Sequence, residues 1–189
     1  DKETTYTKTD IDGLLTAKSD KSDTYTKTEV YTKTSIFQTF LTTAGTFGVM
    51  SLYGYKTKNI TMIGIRGFEA EEVEYLNNHK ELKVYTANIC YQYGIKNIIN
   101  DLKNKFSDDY AIYLSYDIDI NDPSFAPGTG TPEAFGLTNK MVLELILAIF
   151  EHLNVKAFDI VEVSPKLDVN DITSWLALKT LYEIFNILK

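Results

Sequence analysis

Two aspartates, Asp117 and Asp119, stand two residues apart in the run Tyr113-Leu114-Ser115-Tyr116-Asp117-Ile118-Asp119-Ile120-Asn121-Asp122-Pro123. Side chains two apart on an extended strand point to one face, and this pair falls where an apolar stretch ends. In parallel α/β sheets that is where ligands bind. Two carboxylates held together repel each other unless a cation sits between them, and their hard oxygens suit magnesium, calcium or manganese. The same two residues also suit a plainer role, as solvated loop aspartates that cap the turn. The spacing alone leaves both readings open.

The next segment points to a pocket. Pro123-Ser124-Phe125-Ala126-Pro127-Gly128-Thr129-Gly130-Thr131-Pro132-Glu133 is too long and irregular for a simple connector. Its prolines stiffen it, while Gly128 and Gly130 open backbone angles closed to other residues. Further on, Glu162 stands at the end of another apolar stretch. A carboxylate at a strand end can accept two parallel hydrogen bonds from a guanidinium group, or it can simply cap the strand exit. Histidine chemistry is limited to His79, in a polar stretch, and His152, near the end of an apolar helix. Neither stands where a ligand is expected.

These residues need elements to hold them. Ile60 to Ile65, Leu82 to Tyr85, Tyr110 to Tyr116 and Ala157 to Val163 read as short apolar strands. Between and after them lie helical stretches at Glu69 to Asn78, Ile89 to Phe106, Thr138 to Leu153 and Val169 to Leu188. Ile95, Ile98, Ile99 and Leu102 keep helical spacing, as do Trp175, Leu178, Leu181, Tyr182 and Phe185. Strand–helix alternation predicts parallel strands with crossover helices, an α/β domain.

The 189 residues carry 44% hydrophobic and 24% charged residues, which excludes wholesale disorder. A net charge of −7 argues against nucleic acid as a partner. No apolar run approaches the ~20 residues needed to span a bilayer, and no secretory pattern opens the chain. One cysteine, Cys90, rules out an internal disulfide and suits a reducing, cytoplasmic location.

The first residues have a different composition. Fourteen of the 22 threonines lie within the first 46 residues. Thr5-Tyr6-Thr7-Lys8-Thr9 recurs as Thr24-Tyr25-Thr26-Lys27-Thr28, and then comes a clipped Tyr31-Thr32-Lys33-Thr34. Residues 1–35 read either as a repeat or stalk, extended or helical and stable only against a neighbour, or as a polar linker of biased composition; residues 36–56 read as a junction. The repeats resemble those of phage-tail-fibre-like proteins.

From 57 to 189 the chain resembles the agmatinase branch of the ureohydrolase family, which also contains arginase. The likeness rests on SYDIDINDPSFAPGTGTPEAFGLT, with MIGIRGFEAEEVEYL before it and DIVEVSPKLD after it. It implies a partial three-layer parallel-sheet, arginase-like fold and metal-dependent hydrolysis of a guanidinium compound such as agmatine to urea and an amine. By the same resemblance Asp117 bridges a dinuclear manganese centre, Asp119 binds one ion, and Glu162 and Thr131 face the substrate. The family's other ligands, a histidine and an Asp-x-His-x-Asp motif, have no counterpart here. The site is therefore expected to be incomplete, with weak manganese binding and negligible turnover by this chain alone. Four strands of a half sheet would leave open edges, so self-association into a homo-oligomer is expected. The alternative is a non-catalytic module fused to a self-associating repeat.

Overall fold

Apolar runs bounded by polar turns build a five-stranded parallel sheet in the computed structural model, which describes residues 34–39, 57–106 and 108–188. The strands are β1 (Thr34–Thr39), β2 (Thr61–Ile65), β3 (Lys83–Thr86), β4 (Ala111–Asp117) and β5 (Val155–Val161), in spatial order β3-β2-β1-β4-β5. Five helices accompany them among the described residues: α1 (Ala70–Asn78), α2 (Ala87–Tyr93), α3 (Ile95–Lys105), α4 (Asn139–His152) and α5 (Ile172–Ile187). The threonine-rich repeat and the junction lie outside the described residues apart from β1. That strand crosses the boundary drawn at 35/36 and runs beside β4 from Thr34↔Ala111 to Thr39↔Tyr116. The sheet thus contains a strand beyond the four expected, because β1 has too little alternation to separate it from its threonine-rich surroundings.

Alternation along the strands sorts side chains into two layers. Ile63, Tyr85, Ile112, Leu114 and Tyr116 face one side, where they meet Cys90, Ile98, Leu102, Leu145, Ile149 and Ile184 from α2 to α5. Ile60, Met62, Ile65 and Leu82 face the other, with Tyr75 and Leu76 of α1 and Tyr113 of β4. The three-layer parallel architecture is as expected.

Two helical expectations differ in detail. The stretch from Ile89 to Phe106 breaks at Gly94, whose φ of 82° and ψ of 149° end α2 and start α3; that backbone region is nearly closed to residues with a Cβ. The apolar spacing of α5 also misleads. Thr173, Thr180 and Ile184 are buried, whereas Trp175, Leu178, Tyr182 and Phe185 on the opposite face are exposed.

The start of α5 is held by a carboxylate from outside the helix. Asp168 accepts from the N–H groups of Thr173 (3.0 Å) and Ser174 (2.9 Å), and from the Ser174 hydroxyl at 3.0 Å. Asp171, next to the first turn, makes no side-chain cap. Burial alone would raise the Asp168 carboxyl, but these hydrogen bonds outweigh it and hold the group down at about 2. A depressed pKa contributes stability that is present above the ordinary value of 3.8 and lost as pH falls toward 2. Asp168→Ala should cost about 0.5–2 kcal/mol at neutral pH. Thermal melts across pH should show the wild-type advantage fading between about pH 4 and pH 2; an advantage unchanged at pH 2 would refute this role.

Candidate active site

β4 ends at Asp117, and the chain turns at once into a 3-10 helix, Ile118–Ile120. Asp117 caps that turn, its Oδ1 accepting the Asp119 N–H at 2.9 Å. The two aspartates are therefore brought together by the capped turn, and Asp119 lies beyond the strand. The capping role is real, but the pair is not solvated: Asp117 and Asp119 are only 3% and 4% exposed. Burial pushes the Asp117 carboxyl up to about 8. The Asp119 N–H opposes the rise, the charges of Asp119 and Glu162 add to it, and Arg66 counters it.

Asp119 is gripped by the loop beyond it. Its Oδ1 accepts from the buried Thr129 hydroxyl, and its Oδ2 from Thr131 at 3.1 Å. The loop then returns to its origin. Asp122 N–H donates to Leu137 O and Leu137 N–H to Ile120 O, both at 2.9 Å. Gly128 ties the loop's middle to distant chain: its N–H donates to Thr173 Oγ1 at 2.7 Å, and its carbonyl accepts from Ser164 at 2.7 Å. A Cβ at Gly128 would lie 2.6 Å from Asp168, so only glycine lets the loop approach the α5 cap this closely.

Arg66, the chain's one arginine, joins these parts. It stands just past β2 and donates to the carbonyls of Asp119 (2.7 Å), Asn121 (3.2 Å), Glu133 (2.6 Å) and Ala134 (3.1 Å). Burial lowers its pKa against the opposing charges of Glu133, Asp119, Asp122 and Asp117. Gly64, at φ 80°, makes room for this approach: a Cβ there would lie 2.3 Å from Ile120.

Glu162 stands just past β5, exposed, with a left-handed φ of 61°. Such backbone strain in a residue other than glycine is common at functional sites. His79 stacks on Tyr75 and bonds its carbonyl at 2.9 Å, and His152 ends α4 beside Glu151. Neither joins the aspartates. Thr129 and Arg66 are the positioning residues that sequence reasoning missed. The alternation in Gly128-Thr129-Gly130-Thr131 was a signal for the first; a lone arginine beside an acidic cluster was a faint one for the second.

Asp117 and Asp119 have the right chemistry for a hard divalent ion but do not make a dinuclear site. Among the described residues no three His, Cys, Asp or Glu side chains form a group able to hold a metal. β1, next to β4, reads Thr-Ser-Ile-Phe-Gln-Thr and brings no such donor. These residues alone support no hydrolytic step through a metal.

A family model described as the arginase family matches residues 15–186. The mitochondrial guanidino acid hydrolase of Homo sapiens is 38% identical over 128 residues, covering 67% of this chain and 36% of the relative. The agmatinase of Halalkalibacterium halodurans is 36% identical over 128 residues, covering 67% of this chain and 42% of the relative. The proclavaminate amidino hydrolase structure from Streptomyces clavuligerus superposes with a TM-score of 0.67 and 29% identity, over 82% of this chain and 55% of that one. The chain spans about two-fifths of the length of these curated relatives.

The Arg66 network has a direct test. Lysine keeps the charge but loses the planar fork that serves several carbonyls at once. Arg66→Lys should destabilise by about 1–3 kcal/mol and speed amide exchange across residues 119–137. Exchange in that segment as slow as wild type would show the clamp to be dispensable.

Proposed function

Since this chain belongs to the arginase family, we propose that it carries one half of a ureohydrolase site, which hydrolyses a guanidino compound to urea and an amine. The observation that supports this is the buried Asp117–Asp119 pair at the carboxyl end of β4, with Glu162 close enough for its charge to act on Asp117. The names of the relatives, guanidino acid hydrolase, agmatinase and amidino hydrolase, describe one type of substrate carbon. An agmatine-like cation fits an acidic chain of net charge −7.

In this reading Asp117 and Asp119 would supply two of the oxygen donors that hold a manganese pair. The metal, when bound, would supply an acidified water; the remaining donors come from outside these residues. What this chain does itself is bind and orient. The two Glu162 oxygens accept parallel N–H bonds from the planar guanidinium, fixing its plane. Thr129 and Thr131 both donate to Asp119; Thr129 is buried, whereas Thr131 is exposed, so its hydroxyl oxygen can also accept from substrate. A non-catalytic module would gain little from two adjacent buried carboxylates, which cost stability unless a cation or proton relieves them. The single buried thiol, Cys90, fits a cytoplasmic setting.

Urea release from agmatine and from 4-guanidinobutyrate with Mn²⁺ tests the reading. The chain alone should release none above background. Completed by the other half of a domain, it should turn over within the ordinary enzyme range of ~1–10³ s⁻¹. Asp119→Asn should lower that rate by more than the ~10–100-fold of an outer-shell loss. Ordinary turnover by the chain alone, or by the completed site carrying Asp119→Asn, would overturn it.

A further inference from the structure

A pocket of about 410 Å³ opens between α2 and the loop that runs from Asn121 to Leu137. Asn88 and Tyr91 of α2 form one wall, and Asp122, Phe125, Phe135 and Gly136 of the loop form the other. None of Asp117, Asp119, Thr131 or Glu162 is among its lining residues. We propose that this pocket binds a small alkylammonium ion, held against the aromatic rings and beside the Asp122 carboxylate.

The rings carry the first observation. Three of the six lining residues are aromatic, and the face of such a ring attracts a cation. Tyr91 is fixed as a wall, because its hydroxyl donates to the Gly136 carbonyl at 3.1 Å and ties α2 to the loop. Phe125 is half-buried beside it. Phe135 is out of place by the rules of folding alone. It is 87% exposed, more than any other large hydrophobic residue described, and its φ of 63° lies in the left-handed region. A bulky side chain strains the backbone there, and an exposed ring returns nothing to the core. A ligand against that ring would give the strain a purpose.

The charge carries the second. Asp122 Oδ1 accepts from the Ser124 hydroxyl (2.6 Å) and N–H (3.0 Å), and its Oδ2 from the Gly136 N–H (3.1 Å). These bonds hold the carboxyl below the usual carboxylate range, so it is ionised at neutral pH. No lysine or arginine is among the lining residues to neutralise it. Arg66 is close enough to feel this charge, but its N–H groups are engaged by the carbonyls of Asp119, Asn121, Glu133 and Ala134. On the opposite wall the Asn88 Oδ1 accepts from Gln92 at 3.4 Å, a long bond that an ammonium N–H could replace. Rings without a charge would suit any apolar molecule, and a carboxylate without rings would suit any cation. Together they select a cation on an apolar stem.

The full chain, labelled with ¹⁵N, is titrated with n-butylammonium chloride and followed by its amide resonances. The amides of Tyr91, Phe135 and Gly136 should move along one saturating curve, with a Kd of ~1–10 mM. n-Butanol, which has the same stem without the charge, should bind about tenfold more weakly. Phe135→Gly removes the ring and relieves the positive φ. It should therefore leave Tm no lower than wild type, yet weaken binding about threefold. Asp122→Asn, folded by circular dichroism, should weaken binding about tenfold. Glu162→Gln should leave the affinity as it is. No saturable shift below ~50 mM, equal binding of the alcohol, or an affinity untouched by Phe135→Gly would each overturn the proposal. Loss of binding in Glu162→Gln would also overturn it, by moving the cation to the guanidino site. Urea release plays no part in this test, so its failure would leave the ureohydrolase reading standing.

Discussion

Everything at the carboxyl end of this sheet depends on one guanidinium group. The turn after β4 and the loop from Asn121 to Leu137 have almost no sheet partner, so most of their carbonyls need another donor. Arg66 supplies it, reaching Asp119, Asn121, Glu133 and Ala134 from the end of β2. A lysine could not serve so many acceptors in one plane. Through this clamp the position of Asp119 is set from two sides, by its own carbonyl on Arg66 and by its carboxylate on Thr129 and Thr131. Gly64 permits the arrangement because it has no side chain to fill the space that Ile120 occupies.

The cost of the arrangement falls on Asp117. Its side chain is removed from water beside a second carboxylate, and its pKa rises to about 8. One N–H and the Arg66 charge offset part of this, so at neutral pH Asp117 keeps a proton that a bound cation would displace. That exchange of proton for cation is the chemical content of the site.

The packing of the sheet is uneven. One side of the sheet is well covered by α2 to α5, while the other has only α1 among the described residues. Among the described residues the sheet ends at β5, whose edge carries the exposed Lys156. The buried carboxylate pair and the exposed apolar stripe of α5 thus belong to one α/β sheet that spans about half of the solved relative's length.

The alternation of apolar residues in 60–65, 82–85, 110–116 and 157–163, and the 3.6-residue period between them, were enough to place β2 to β5 and most helices, because those patterns are local. Asp117, Asp119 and Glu162 were legible for the same reason: each stands at or just past the end of a readable strand. β1 was not, since Thr-Ser-Ile-Phe-Gln-Thr carries no period that separates it from its surroundings. Nor could spacing tell which apolar face of α5 turns inward, because both faces are apolar and only the position of β4 and α4 decides between them. Arg66 and Thr129 acquired their roles from contacts 53 and 10 residues away in sequence. By itself the sequence determined the α/β class, the acidic pair and the lack of histidine around it, which are matters of local pattern and composition. The tertiary structure alone decided that the pair is buried, that one arginine holds it and that α5 keeps an open face, because burial and clamping are set by long-range contacts that no local period encodes.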